Sequence, residues 1–164
     1  MKTLFLIRHA KSDWTIDGLL DIDRPLNSRG YTDAHTMSML LKKQEIVPDI
    51  IITSPAVRAI STALIFSRNL NFNPSEIIID KNLYETSVNS YSGVVSRIES
   101  KNKIVLLFGH NPIISDFATL LVPSFTNEIS TCGIVAIQKQ VKSWDQFIAA
   151  KAQKMYYDFP KNHI

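Results

Sequence analysis

Cysteine is nearly absent from this sequence. Cys132 is the only one in 164 residues, which excludes an internal disulfide and a thiolate metal cluster and points to a reducing compartment such as the cytoplasm. Long apolar runs are also missing. No stretch approaches the length of a membrane span, and Leu4–Ile7, following Met1-Lys2-Thr3, is too short for the core of a signal peptide before Arg8 intervenes. Lysine and arginine do not gather into runs, so the net charge of +3 reads as a solvated surface rather than a nucleic-acid footprint. Repeats, low-complexity tracts and linkers are absent. With 45% apolar and 20% charged residues, 164 residues suit one soluble domain spanning residues 1–164.

What is present is an alternation of short apolar runs with helical patterns. Thr3–Ile7, Asp49–Thr53, Glu76–Ile79, Lys103–Phe108 and Gly133–Gln138 read as strands. Ser28–Lys43 has Ala34, Met37, Leu40 and Leu41 at helical spacing; Pro55–Leu70, Ser90–Ile98 and Pro112–Leu121 complete the predicted helices, although Gly93 weakens the third. Lys11–Arg24 reads as a polar loop. Ala150–Phe159 suits either an Ala-rich helix or an edge strand around Met155-Tyr156-Tyr157. Continuous strands separated by helices argue an α/β fold, a three-layer α/β/α sandwich around a mostly parallel sheet.

Such sheets bind ligands at the carboxyl ends of their strands. Three of those ends carry chemistry: Arg8-His9 after the first strand, "TSPAVRA" after the second, and "FGHNP" after the fourth. Ser54 and Asn111 read as N-caps, with Pro55 and Pro112 opening the helices that follow, so two helix N-termini face the same edge. Arg58 falls in a first helical turn, where a cation opposes the helix dipole by a few tenths of a kcal/mol. Local conflicts of this kind occur where a site overrides local preference. Together Arg8, His9, Arg58 and His110 suit phosphoryl transfer. Arginine forks pair with phosphate oxygens, a neutral imidazole attacks phosphorus, and a second imidazole, if protonated, adds a donor. His35 and His163 lack such surroundings and read as surface residues.

The strings "LIRHAKS", "DIDRPLNSRG", "TSPAVRAIST" and "FGHNP", in that order, resemble the histidine phosphatase superfamily, and within it the small SixA-type phosphohistidine phosphatases. The resemblance implies the phosphoglycerate mutase-like fold and His9 as the phosphorylated nucleophile. It also implies that Arg8, Arg58 and His110 form the phosphate pocket, in a reaction needing no metal and no cofactor. The 51 residues between Arg58 and His110 must supply the rest of a helix, a strand, another helix and a strand. They leave room for only a minimal lid where many relatives carry a larger insertion. Where the wider superfamily has glycine after the nucleophile this chain has Ala10, as SixA-type members do. Many relatives use a carboxylic acid to protonate the leaving oxygen. Glu85 in "NLYET" is the best positional match, against a competing reading as a solvated loop glutamate, with Asp13, Asp21 and Asp23 as weaker candidates. Arg24 is placed either at the pocket mouth or in a structural pair with Asp21 or Asp23, and Trp14 is expected to cover core. The implied substrate is phosphohistidine on a protein, with no nucleic-acid or membrane partner. The alternatives are a small phosphate ester or a catalytically idle phosphoprotein-binding module.

Overall fold

Strand β1 (Lys2–Arg8) sits near the middle of the sheet and takes its side chains alternately into two cores. Leu4 and Leu6 face one, Phe5 and Ile7 the other, as the period-two geometry of a strand requires. The computed structural model describes residues 1–84 and 87–164. It contains five further strands: β2 (Ile50–Thr53), β3 (Ile78–Ile79), β4 (Ile104–Gly109), β5 (Ile134–Lys139) and β6 (Lys154–Asp158). Their order across the sheet is β3-β2-β4-β1-β5-β6. The first four run parallel, β5 is antiparallel to β1, and β6 is antiparallel to β5. Ala150–Phe159 therefore resolves in favour of an edge strand, paired from Ile134↔Asp158 to Gln138↔Lys154.

Among the described residues, five helices cover the two faces, giving the expected three layers. α1 (Ser28–Lys43) and α2 (Val57–Asn69) place Ala34, Met37, Leu41, Ala63 and Phe66 on Phe5, Ile7, Leu106 and Phe108. On the other face lie α3 (Val88–Ser96), α4 (Ile113–Leu121) and α5 (Trp144–Ala149). They bring Val94, Val95, Phe117, Leu121, Trp144 and Phe147 onto Leu4, Leu6, Val105 and Leu107. The apolar periodicity of α1 marks both of its ends in the sequence. Asn27 caps it, accepting from Gly30 N, and Lys42 and Lys43 end it where cations favour the dipole. Among the described residues, no helix is long and apolar enough to cross a membrane.

Helix α5 has no counterpart in the sequence reading, because six residues are too few for a helical period to emerge. It is held instead by distant partners. The Trp144 indole N–H donates to Asn102 O at 2.8 Å, and the Lys139 ammonium donates to Phe147 O at 2.8 Å, satisfying a carbonyl that the helix end leaves open. Lys139 is fully buried, and burial pushes its pKa down to about 8.

The strand order brings the carboxyl ends of β1, β2 and β4 side by side, because β4 lies between the other two. Arg8, Ser54 and His110 consequently meet at one edge, although more than a hundred residues separate the first from the last.

Candidate active site

His9 follows β1 directly and is 8% exposed. Its backbone N–H donates to Gly109 O at 3.1 Å, which ties it to the end of β4, and its carbonyl accepts from Cys132 N at 3.1 Å. The ring is oriented by a hydrogen bond of 2.7 Å between Nδ1 and Ala10 O. A carbonyl only accepts, so Nδ1 carries the proton and Nε2 keeps its lone pair. Burial, with smaller contributions from His110, Arg58 and Arg8, pulls the His9 pKa down to about 3. At neutral pH this is an uncharged imidazole with its basic nitrogen free.

His110 stands opposite, with 5.1 Å between ring centroids. Its Nε2 lies 2.7 Å from Ser54 Oγ and its Nδ1 lies 3.5 Å from Arg58 Nη2. Arginine only donates, so the network assigns the proton to Nε2, donating to Ser54, and leaves Nδ1 as an acceptor. Burial and the neighbouring Arg58 pull His110 down to about 4. Beneath it, the Tyr91 hydroxyl donates to Leu83 O at 3.0 Å and accepts from His110 N at 3.1 Å. Gly109 makes room for that hydroxyl, because a β-carbon there would collide with it.

Arg58 projects from the start of α2 and is 5% exposed. Its Nη1 donates to Asp21 O at 2.7 Å and its Nη2 to Asp21 Oδ2 at 3.0 Å. Arg8 ends β1 and donates from Nη1 to Ile129 O at 2.9 Å. The Nε atoms of both arginines are buried without a partner among the described residues. Unpaired buried donors on two cations, set beside two neutral imidazoles, form an electropositive pocket fitted to an anion. A cavity of about 320 Å³ brings Arg8, His9, Arg58 and His110 together with Arg24 and Trp14.

Asp21, on a 3₁₀ turn at Asp21–Asp23, organises this edge. It accepts from Arg24 Nη2 at 2.6 Å, from Tyr84 Oη at 2.7 Å and twice from Arg58. Burial raises its pKa, but the hydrogen bonds from Arg24, Tyr84 and Arg58 outweigh that and hold it well below the usual carboxylate range. Asp21 is thus an ionised anchor for the two arginines, unsuited to donating a proton. Asp13 bonds Thr15 at the surface, and Asp23 is exposed. Glu85 lies outside the described residues.

Several sequence expectations change here. Ser54 does not cap α2. Its hydroxyl accepts from Ala56 N at 3.2 Å in a turn, the helix starts at Val57 instead of Pro55, and the same oxygen serves His110. Nor does Asn111 cap α4. Its amide spans outward to Ile129 O at 2.8 Å and its carbonyl accepts from Ser115 Oγ, so α4 begins at Ile113 after Pro112. Trp14 does not cover core: it is 78% exposed, with the Arg24 guanidinium 3.6 Å from its ring centroid. Arg24 satisfies both readings offered for it, lining the cavity while pairing with Asp21. Thr62, overlooked in the sequence, joins the two halves of the site: it accepts from Ala10 N at 3.0 Å and donates to Arg58 O at 2.7 Å. His35 and His163 lie at the surface, bonded to Asn69 and Asp158 respectively.

The depressed imidazole pKa values carry a sign. Both lie below the ordinary value of about 6.5, so the unfolded chain takes up these protons first as pH falls. The stability associated with neutral His9 and His110 is present above about 6.5 and is lost as pH falls toward 4 and then 3. Imidazole ¹⁵N spectra of the ligand-free protein should show both rings neutral at pH 5, with the denaturation midpoint falling between pH 6.5 and 4. A titration midpoint near 6.5 for either ring would contradict the burial argument.

Two imidazoles and two arginines at the carboxyl edge of a mainly parallel sheet form an arrangement suited to phosphoryl transfer. The chain belongs to the histidine phosphatase superfamily (branch 1), whose family model matches residues 4–114. It is 32% identical over 117 residues to a Hydrogenobacter thermophilus protein named "Putative phosphoserine phosphatase 2", across 69% of this chain and 55% of that one. The chain thus spans about half the length of that relative. A shorter stretch of 65 residues is 37% identical to phosphoglycerate mutase 1 of Saccharomyces cerevisiae, covering 38% of this chain and 26% of the mutase. In fold the chain is similar to the protein histidine phosphatase SixA solved with tungstate, with a TM-score of 0.83 over 98% of both chains at 20% identity.

Proposed function

We propose that the chain hydrolyses phosphohistidine on a protein, carrying the phosphoryl group transiently on His9. His9 Nε2 attacks phosphorus in line, a P–N bond forms to His9, and the P–N bond to the substrate imidazole breaks. The leaving imidazole can carry its proton on its other ring nitrogen and depart neutral, so little help from a protein acid is needed. Water then attacks phospho-His9, inorganic phosphate departs, and Nε2 regains its lone pair. Arg8 and Arg58 bind the equatorial oxygens. A phosphoryl dianion beside His110 favours its protonated form, turning Nδ1 from an acceptor into a charge-assisted donor.

The observation that carries the protein substrate is the rim of the cavity. The loop from Ser12 to Asp21 exposes Trp14, Ile16, Leu19 and Leu20, four large apolar side chains in ten residues that a small phosphate ester does not need. The described residues between Arg58 and His110 are spent on the rest of α2, two 3₁₀ turns, β3, α3 and β4. A small ester therefore offers the site little beyond its phosphate, and binding energy for orientation must come from a larger partner. A second reading, a small-ester phosphatase, draws on the name of the Hydrogenobacter relative.

Turnover of a phosphohistidine protein beside a panel of small phosphate esters separates the two. The expected kcat/KM is at least ~10²-fold higher on the protein, with KM for small esters at or above ~1 mM. Selective, efficient hydrolysis of one metabolite would replace the protein reading with the second.

A further inference from the structure

A second cavity, of about 310 Å³, adjoins the first and shares Arg8, Lys11 and Thr131 with it. Arg29 from α1 and Lys161 from the C-terminal 3₁₀ turn at Pro160–His163 supply two more cations. That turn packs against α1, which brings Lys161 to the same opening as Arg29. The cavity is lined by one carboxylate, Asp33, which is already engaged: Arg29 Nε pairs with its Oδ1 at 3.2 Å. Four cations from three parts of the chain, the end of β1 with the residues after it, α1 and the C-terminal turn, thus face one paired anion. Gathering like charges around a concave surface raises the local potential and concentrates anions there. Arg8 stands between the two cavities with its Nε buried and unpartnered among the described residues, so an anion in either one meets the same guanidinium.

We propose that this second cavity receives a carboxylate of the substrate while the phosphoryl group lies at His9. The inference rests on the phosphatase reading above and adds a specificity element to it. The carboxylate has two possible sources, an acidic side chain flanking the phosphohistidine of a protein or the acid group of a small phosphate ester. Arg29 and Lys161 line this second cavity and not the catalytic one, which makes them discriminating residues.

The test compares two substrate pairs in the wild type and in the double variant Arg29→Gln/Lys161→Gln. One pair is a phosphohistidine peptide with glutamates on either side and the same peptide with glutamines. The other is phosphoserine and phosphoethanolamine, which differ by a carboxylate. Hydrolysis of p-nitrophenyl phosphate, which has no such group, should be unchanged in the variant and reports that it is folded. Two exposed charge contacts predict a preference of about 5–10-fold for the acidic peptide. It should appear in KM, shrink as salt rises, and disappear in the double variant. Lys161→Gln alone should remove part of it while leaving the Arg29–Asp33 pair intact. A carboxylate preference confined to the small pair keeps the subsite and overturns the protein substrate. If neither peptide is hydrolysed while p-nitrophenyl phosphate is, the phosphohistidine reading fails and the small pair decides the subsite. Equal rates within both pairs, or a preference that survives in the double variant, would sink the subsite itself.

Discussion

His9→Ala is expected to lower turnover by ~10⁴-fold or more, because it removes the atom proposed to accept the phosphoryl group. The surroundings of His9 make this a test of chemistry more than of folding. Among the described residues its ring is held by one hydrogen bond, to the carbonyl of the adjacent Ala10, and the backbone bonds to Gly109 and Cys132 do not involve the side chain. The variant should therefore fold and still bind tungstate through Arg8, Arg58 and His110. In the wild type, brief incubation with labelled substrate and an alkaline quench should leave label on His9. The bond is a phosphoramidate, so the label should be lost in acid and kept in alkali. Label on a serine, or an active His9→Ala enzyme, would refute the mechanism.

The next largest losses are expected at the two arginines. Arg8→Ala and Arg58→Ala each remove charge-assisted donors proposed to hold the transferring group, and each should lower kcat by ~10²–10³-fold. Lysine at position 58 should not restore the rate. Arg58 reaches both the carbonyl and the carboxylate of Asp21 while keeping a donor edge for the pocket, and a single ammonium cannot match that fork. Arg68, exposed on the far part of α2, and His35 serve as controls, and alanine at either should change the rate little. Comparable losses at all four positions, measured beside thermal denaturation of each variant, would point to general destabilisation and away from a pocket.

The elements legible in the sequence are those whose cause is local. Strand β1 alternates between two cores within seven residues, and α1 has its cap, its apolar stripe and its terminal lysines within one continuous stretch. Parallel pairing was legible too, because strands separated by helices have few ways to return to the sheet. The candidate pocket residues could be picked out for the same reason: a parallel sheet gathers the carboxyl ends of its strands, so Arg8-His9, Arg58 and His110 needed only the strand assignments to be placed together.

The remaining features depend on which distant residues touch, and no period within the chain encodes that. Trp14 reads in the sequence as covering core, yet the fold leaves it exposed with the Arg24 guanidinium over its ring. Ser54 and Asn111 had the sequence context of helix caps, but His110 and Ile129 compete for their side chains and win. Asp21 was one carboxylate among several in a polar loop until the fold set Arg58 and Tyr84 beside it, from 37 and 63 residues away. Helix α5 forms around the buried Lys139 and the Trp144 indole, and the final strand exists because β5 has an edge left to pair. Local propensity and periodicity act over a few residues, whereas hydrogen-bond partners and buried charge are decided by the packing of the whole chain.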